Sequence, residues 1–149
     1  IAMDDPTVES KMDGALNSVY SAKGISNHMG SRATGDKRLM DLVFSDLKKR
    51  DLFFLDSYTS ADSLCEKTAK EKGVAYAKRD IFIDNELNGK YITGQMVKLE
   101  DLAEEKGQAV GIGHDRTATV EALAKVVPQM KKRGIRFVKL SELIEKSEN

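Results

Sequence analysis

Tryptophan is absent from this chain, cysteine occurs once, histidine and proline twice each, and neither sign of charge prevails. Each shortage excludes something. The single thiol, Cys65, cannot form an internal disulfide framework or a cysteine-rich zinc site, since both need several. With 24 basic and 24 acidic side chains the formal net charge is zero. No global field therefore draws phosphate backbones or anionic lipid, and nucleic acid is not an expected partner. No apolar run approaches the length of a membrane span, and the opening residues lack the basic flank and apolar stretch of a signal peptide. The chain reads as soluble. It opens on Ile1 rather than methionine, which leaves room for residues upstream.

What is present is a chain of 149 residues, 40% hydrophobic and 32% charged, enough to bury one core under a solvated surface. Residues 1–149 are expected to form a single domain, with no linker or low-complexity segment. A helix is predicted from Pro6 to about Tyr20, capped by Asp4 or Asp5, with Val8, Met12, Ala15, Leu16 and Val19 on one face. After the short segment Gly24-Ile25-Ser26-Asn27, a second helix spans about Asp36 to Arg50, with Leu39, Met40, Val43, Phe44 and Leu47 as its buried stripe. The apolar run Leu52-Phe53-Phe54-Leu55, stopped by Asp56-Ser57, has the form of a strand covered on both faces.

The unit then repeats. A helix over about Ala61–Lys72 buries Leu64, Cys65, Thr68 and Ala69, stops at Gly73 and leads to a strand through Val74–Ala77. An irregular stretch from Asp80 to Asn88 precedes a helix ending at Gly107, followed by a strand at Ala109–Ile112. A further helix runs from about Thr117 to Arg133, where Pro128 is expected to kink or break it. It stops at Gly134 and leads to a fifth strand, Ile135–Val138. Helices alternating with strands indicate parallel α/β architecture, and five strands are too few for a closed eight-stranded barrel.

In such folds the working groups gather beyond the carboxyl ends of the strands. That rim is chemically loaded here. It carries Asn27-His28-Met29-Gly30-Ser31-Arg32, Asp56-Ser57, Arg79-Asp80 with Asp84-Asn85, and Gly113-His114-Asp115, and so holds both histidines. His28 is either a loop residue bonded to backbone or a metal ligand or pocket residue, and His114, flanked by Gly113, has the same alternatives. Asp56 either caps the following helix or orients an imidazole. Asp80 can pair with Arg79 alone, and Asp84-Asn85 can be a simple Asx turn. The Met29–Asp36 stretch invites a phosphate-binding reading, but it lacks the Gly-Lys-Ser/Thr ending and the three-glycine dinucleotide fingerprint. No Gly-x-Ser-x-Gly elbow is present, and Cys65 on a buried helix face is a poor nucleophile.

Taken together, residues 24–32 (Gly-Ile-Ser-Asn-His-Met-Gly-Ser-Arg), 54–59 (Phe-Leu-Asp-Ser-Tyr-Thr), 79–85 (Arg-Asp-Ile-Phe-Ile-Asp-Asn) and 112–114 (Ile-Gly-His) resemble the divergent polysaccharide deacetylase family, over nearly everything from Met12 to Leu143. The resemblance implies parallel βα units forming part of a distorted, incomplete (β/α) barrel, this chain being its C-terminal part. It also implies metal-dependent removal of acetyl groups from a carbohydrate, in a bacterial protein exported to the periplasm or cell exterior. Carried across, His28 would ligate a divalent metal such as zinc, and His114 would be the general acid, with Asp56 and Asp80 orienting catalytic partners. Asn27, Arg32, Arg79 and Asp84 would line the substrate pocket. The family's upstream strands, with their paired aspartates and a further histidine, have no counterpart here; Asp4-Asp5 is read as a helix cap. The alternative is a non-catalytic carbohydrate-binding or envelope interaction protein on the same fold.

Overall fold

A computed structural model describes residues 3–147. The chain divides into two compact units, one running to Lys78 and taking in the segment from Ile144 onward, the other Arg79–Leu143. The division falls within the charged run Lys78-Arg79-Asp80, where no glycine or proline announces it.

In the first unit, α1 (Asp5–Ser18) begins as the sequence predicts: Asp4 accepts the Thr7 amide at 3.0 Å, and Pro6 occupies the first turn. Its apolar face is less used than expected. Val8 is buried and Met12 is packed against the core, but Ala15 and Val19 are exposed. β1 (Gly24–Ser26) leads through the single turn α2 (Ser31–Thr34) to α3 (Lys37–Lys49), whose N-cap Asp36 accepts from the Leu39 amide. Leu39, Met40, Phe44 and Leu47 are buried along one stripe, as a 3.6-residue period requires.

β2 (Phe53–Asp56) receives that stripe. The Phe44 and Phe54 rings meet at 4.9 Å between centroids, within the range where aromatic pairs attract beyond their burial. α4 (Cys65–Lys72) starts four residues later than predicted, and β3 (Tyr76–Lys78) two residues later than its predicted strand. The three strands are parallel in the order β1-β2-β3. Gly24 faces Phe53 across β1 and β2, and a Cβ at Gly24 would stand 2.3 Å from that ring. Only glycine fits.

The second unit holds β4 (Ile81–Phe82) and β5 (Gly111–Ile112), paired in parallel, with α5 (Gly89–Lys106) and α6 (Thr117–Lys132) packed on each other. Ile83, Met96, Val126 and Met130 form its core. The half-exposed Arg133 reaches the buried carboxylate of Glu100 through Nε at 2.7 Å and Nη2 at 2.5 Å. That fork holds Glu100 below the ordinary carboxylate range against its burial.

Pro128, expected to kink or break its helix, lies inside α6 without ending it. Two expectations are corrected. The fifth strand is absent: Ile135 closes α6 by donating its N–H to the Met130 carbonyl at 3.1 Å, with Gly134 left-handed, and residues 135–139 extend without a ladder. Instead a strand occurs at Ile81–Phe82, inside the stretch expected to be irregular. α7 (Leu140–Ser147) ends the described chain. The architecture is thus α/β with parallel strands, as expected, but they form a three-stranded and a two-stranded sheet, and no closed barrel exists among the described residues.

Candidate functional site

In the first unit, the loops after β1 and β2 are braced to each other. Asn27 accepts the Ser57 amide at 2.9 Å through Oδ1 and donates from Nδ2 to the Met29 carbonyl at 2.9 Å, while the Thr59 hydroxyl donates to that same carbonyl at 3.2 Å. These bonds hold Met29 (φ 59°) and Tyr58 (φ 48°) in the left-handed region, a conformation that costs a non-glycine residue about 1–2 kcal/mol. Asn27, expected to touch substrate, spends its amide on this brace. His28 stands exposed on the braced loop, and Arg32 is exposed on α2.

Asp56 ends β2 and is fully buried. Its Oδ1 accepts the Tyr58 amide at 2.7 Å, and its Oδ2 accepts the Ser63 hydroxyl at 2.6 Å and the Tyr76 phenol at 3.3 Å. Burial, and then the nearby Asp56 charge, drive the Tyr76 phenol far above its ordinary range. Burial likewise pushes the Cys65 thiol up to about 11, which agrees with its being a poor nucleophile. Asp56, read from sequence as either a helix cap or an orienter of an imidazole, ties the β2–α4 loop to itself through the Tyr58 amide and Ser63 hydroxyl and to β3 through the Tyr76 phenol.

In the second unit the register itself builds a pair. Ile81 and Phe82 lie opposite Gly111 and Ile112, so two residues further on, beyond the carboxyl ends of both strands, Asp84 meets His114. Asp84 Oδ1 lies 3.0 Å from His114 Nδ1, and Oδ2 accepts the His114 amide at 2.7 Å and the Thr119 hydroxyl at 2.8 Å. Asp84 is 1% and Thr119 2% exposed, while the His114 side chain is 38% exposed. Burial alone would raise the Asp84 carboxyl, but the His114 amide and ring and the Thr119 hydroxyl outweigh it and hold the group below its ordinary value.

The glycines around His114 are steric requirements. A Cβ on Gly113 would fall 2.7 Å from Ile83 Cγ1 and 3.4 Å from Thr119 Cγ2, and one on Gly111 would fall 2.7 Å from Leu99 Cδ2. Close approach of β5 to Ile83 is what lets the His114 amide reach Asp84.

Two residues named from sequence lie on either side of β4. Asp84, read from sequence as a pocket-lining residue or part of a simple Asx turn, has both oxygens engaged by His114 and Thr119. Asp80, expected among the catalytic carboxylates, precedes β4 at the end opposite to His114; it accepts the Val110 amide at 2.8 Å and Lys106 Nζ at 3.2 Å, tying the starts of the two strands together. Arg79 lies over the Phe82 ring, 3.8 Å from its centroid, a cation–π contact. Thr119 was not singled out from sequence, since a threonine in the first turn of a helix carries no distinguishing signal.

Among the described residues, no group of three or more His, Cys, Asp or Glu side chains is placed to hold a metal ion. His28 is thus not part of a complete donor set within those residues. Also among the described residues, no helix is long and apolar enough to cross a membrane.

Comparison with known proteins places this geometry in a family. An uncharacterised protein of Haemophilus influenzae is 37% identical over 123 residues, covering 83% of this chain and 44% of its own length. The uncharacterised protein YibQ of Escherichia coli is 35% identical over 142 residues, covering 95% of this chain and 44% of its own. The chain thus spans less than half the length of these relatives. A peptidoglycan-N-acetylglucosamine deacetylase of Bacillus cereus is 59% identical over a 32-residue stretch, 22% of this chain and 15% of that protein. The crystal structure of an uncharacterised protein from Agrobacterium tumefaciens superposes with a TM-score of 0.85 at 28% identity, over 91% of this chain and 56% of that one. The family model for divergent polysaccharide deacetylases matches residues 1–144, and the chain belongs to that family.

Proposed function

We propose that this chain supplies the proton-delivering part of a hydrolase that removes acetyl groups from an N- or O-acetylated carbohydrate of the bacterial envelope, at its periplasmic or outer side. The observation that carries the reading is the buried Asp84 carboxylate 3.0 Å from Nδ1 of the partly exposed His114. A carboxylate at Nδ1 fixes the ring, so proton exchange with a ligand runs through Nε2. With the ring in its doubly protonated form, Nε2 hands its proton to the sugar amine or oxygen as the bond from that atom to the acetyl carbon breaks, the acetyl carbon having taken the oxygen of a water molecule and leaving as acetate. Family membership and the peptidoglycan deacetylase stretch support the carbohydrate substrate.

The described residues do not fit a divalent metal as a complete site. His28 enters the proposal as one donor, the others coming from outside those residues, and the chemistry assigned to this chain is proton delivery alone. Acetate release by the full-length polypeptide from N-acetylglucosamine oligomers and peptidoglycan fragments tests the reading. Release that falls about 10²–10⁴-fold in His114→Ala supports it, a typical loss for a general acid. Glycan binding with no acetate release by the unaltered protein would instead assign the non-catalytic, carbohydrate-binding role.

A further inference from the structure

We infer that Thr119 is a positioning residue that aims Asp84 at His114. The inference rests on the reading of His114 as the proton donor and extends it to a side chain that no sequence motif marks.

The carboxylate torsion of an aspartate is intrinsically broad, so a carboxylate that must present one oxygen to an imidazole has to be held from elsewhere. Asp84 is held at Oδ2 from two directions. The His114 amide donates at 2.7 Å from the end of β5, and the Thr119 hydroxyl donates at 2.8 Å from the first turn of α6. With Oδ2 fixed by both, Oδ1 is the oxygen presented to His114 Nδ1, at 3.0 Å. The amide alone would leave the carboxylate to pivot about that single bond.

The local packing fits a threonine in particular. A helical threonine can bond back to the carbonyl four residues earlier, yet the Thr119 hydroxyl turns to Asp84. Its methyl group lies over Gly113, where an added Cβ would be 3.4 Å away. Gly113 therefore leaves room for the Thr119 methyl on one side and for Ile83 on the other. Thr119 is buried and its hydroxyl donates to Asp84, so it acts through Asp84 rather than on a ligand.

The test is the ring tautomer of His114, read by long-range proton–nitrogen NMR of the full-length protein without substrate, at a pH where the imidazole is neutral. Thr119→Val removes the donor at nearly constant volume, and Thr119→Ser keeps it. The expected result is a ratio of Nδ1–H to Nε2–H forms that falls at least about threefold in Thr119→Val, consistent with loss of one net hydrogen bond, and is preserved in Thr119→Ser. An unchanged ratio in Thr119→Val overturns the inference. Should the valine variant fail to fold, Thr119→Ala decides: a ratio lowered at least about threefold supports the hydroxyl, and an unchanged one overturns it. The tautomer is read without turnover, so a protein that releases no acetate is still informative about Thr119.

Discussion

Two buried aspartates, one ending a short parallel strand and one just beyond another, make the sharpest comparison in the molecule. Asp56 and Asp84 are both nearly inaccessible, and each accepts three hydrogen bonds. Their donors differ. Asp56 collects an amide, a serine hydroxyl and a tyrosine phenol, and all three belong to its own loop or the adjoining strand β3. Asp84 collects an amide, a threonine hydroxyl and a titratable ring that is still 38% exposed. A carboxylate at a strand end is therefore not a functional marker by itself. What distinguishes the second is that one of its donors can exchange a proton with solvent or a ligand, so that holding the carboxylate also orients a reactive group.

The contrast can be broken by exchanging each carboxylate for its amide or methyl. The largest effect is expected on turnover: Asp84→Asn, which keeps shape but offers His114 a mixed acceptor and donor, lowers acetate release on the order of 10²-fold, with little change in the far-ultraviolet circular dichroism spectrum. An equal loss in Asp56→Asn at matched folded protein would erase the distinction. Next, Asp56→Ala strands the Ser63 and Tyr76 hydroxyls and the Tyr58 amide in a buried site, and is expected to destabilise the fold by about 3 kcal/mol in urea denaturation.

Gly113→Ala places a Cβ 2.7 Å from Ile83 and is expected to cost about 1–3 kcal/mol, with a ring signal of His114 that shifts because its amide withdraws from Asp84. A normal melting temperature would show that β5 can move away freely. The smallest effect concerns acid. The folded carboxyl of Asp84 lies below its unfolded value, so its contribution to stability is complete above the ordinary carboxylate range, near pH 4, and fades as pH falls through the folded value. Denaturation midpoints of Asp84→Asn measured across that window should fall less steeply towards acid than those of the unaltered protein.

Much of the fold was legible in the residues because it follows periodicity. The stripe Leu39, Met40, Phe44 and Leu47 specifies α3, and the Asp4-Asp5-Pro6 start specifies α1. Where pairing rather than local pattern decides, the sequence misled. Ile135–Val138 has the composition of a strand, but β-propensity supplies no partner, and this segment has no ladder. Ile81–Phe82 is a strand only because it lies beside Gly111–Ile112, and two residues are too few to show alternation.

The candidate site divides in the same way. His114 was visible as a histidine beside glycine at a strand end. Its partner was not, since an aspartate after a strand looks the same whether it lines a pocket, as Asp84 was read, or lies beneath an imidazole. Only the parallel register brings positions 84 and 114 together. Asp80 was misplaced for a related reason: it follows one strand and precedes the next, and its bond to the Val110 amide assigns it to the second.

The most direct test of the account is the nitrogen spectrum of the His114 ring in the unaltered full-length protein above its titration. A proton resident on Nδ1, coupled to the Asp84 carboxylate and lost from that position in Asp84→Asn, is the result the account predicts. A ring carrying its proton on Nε2 in the unaltered protein, indifferent to Asp84→Asn, would contradict it.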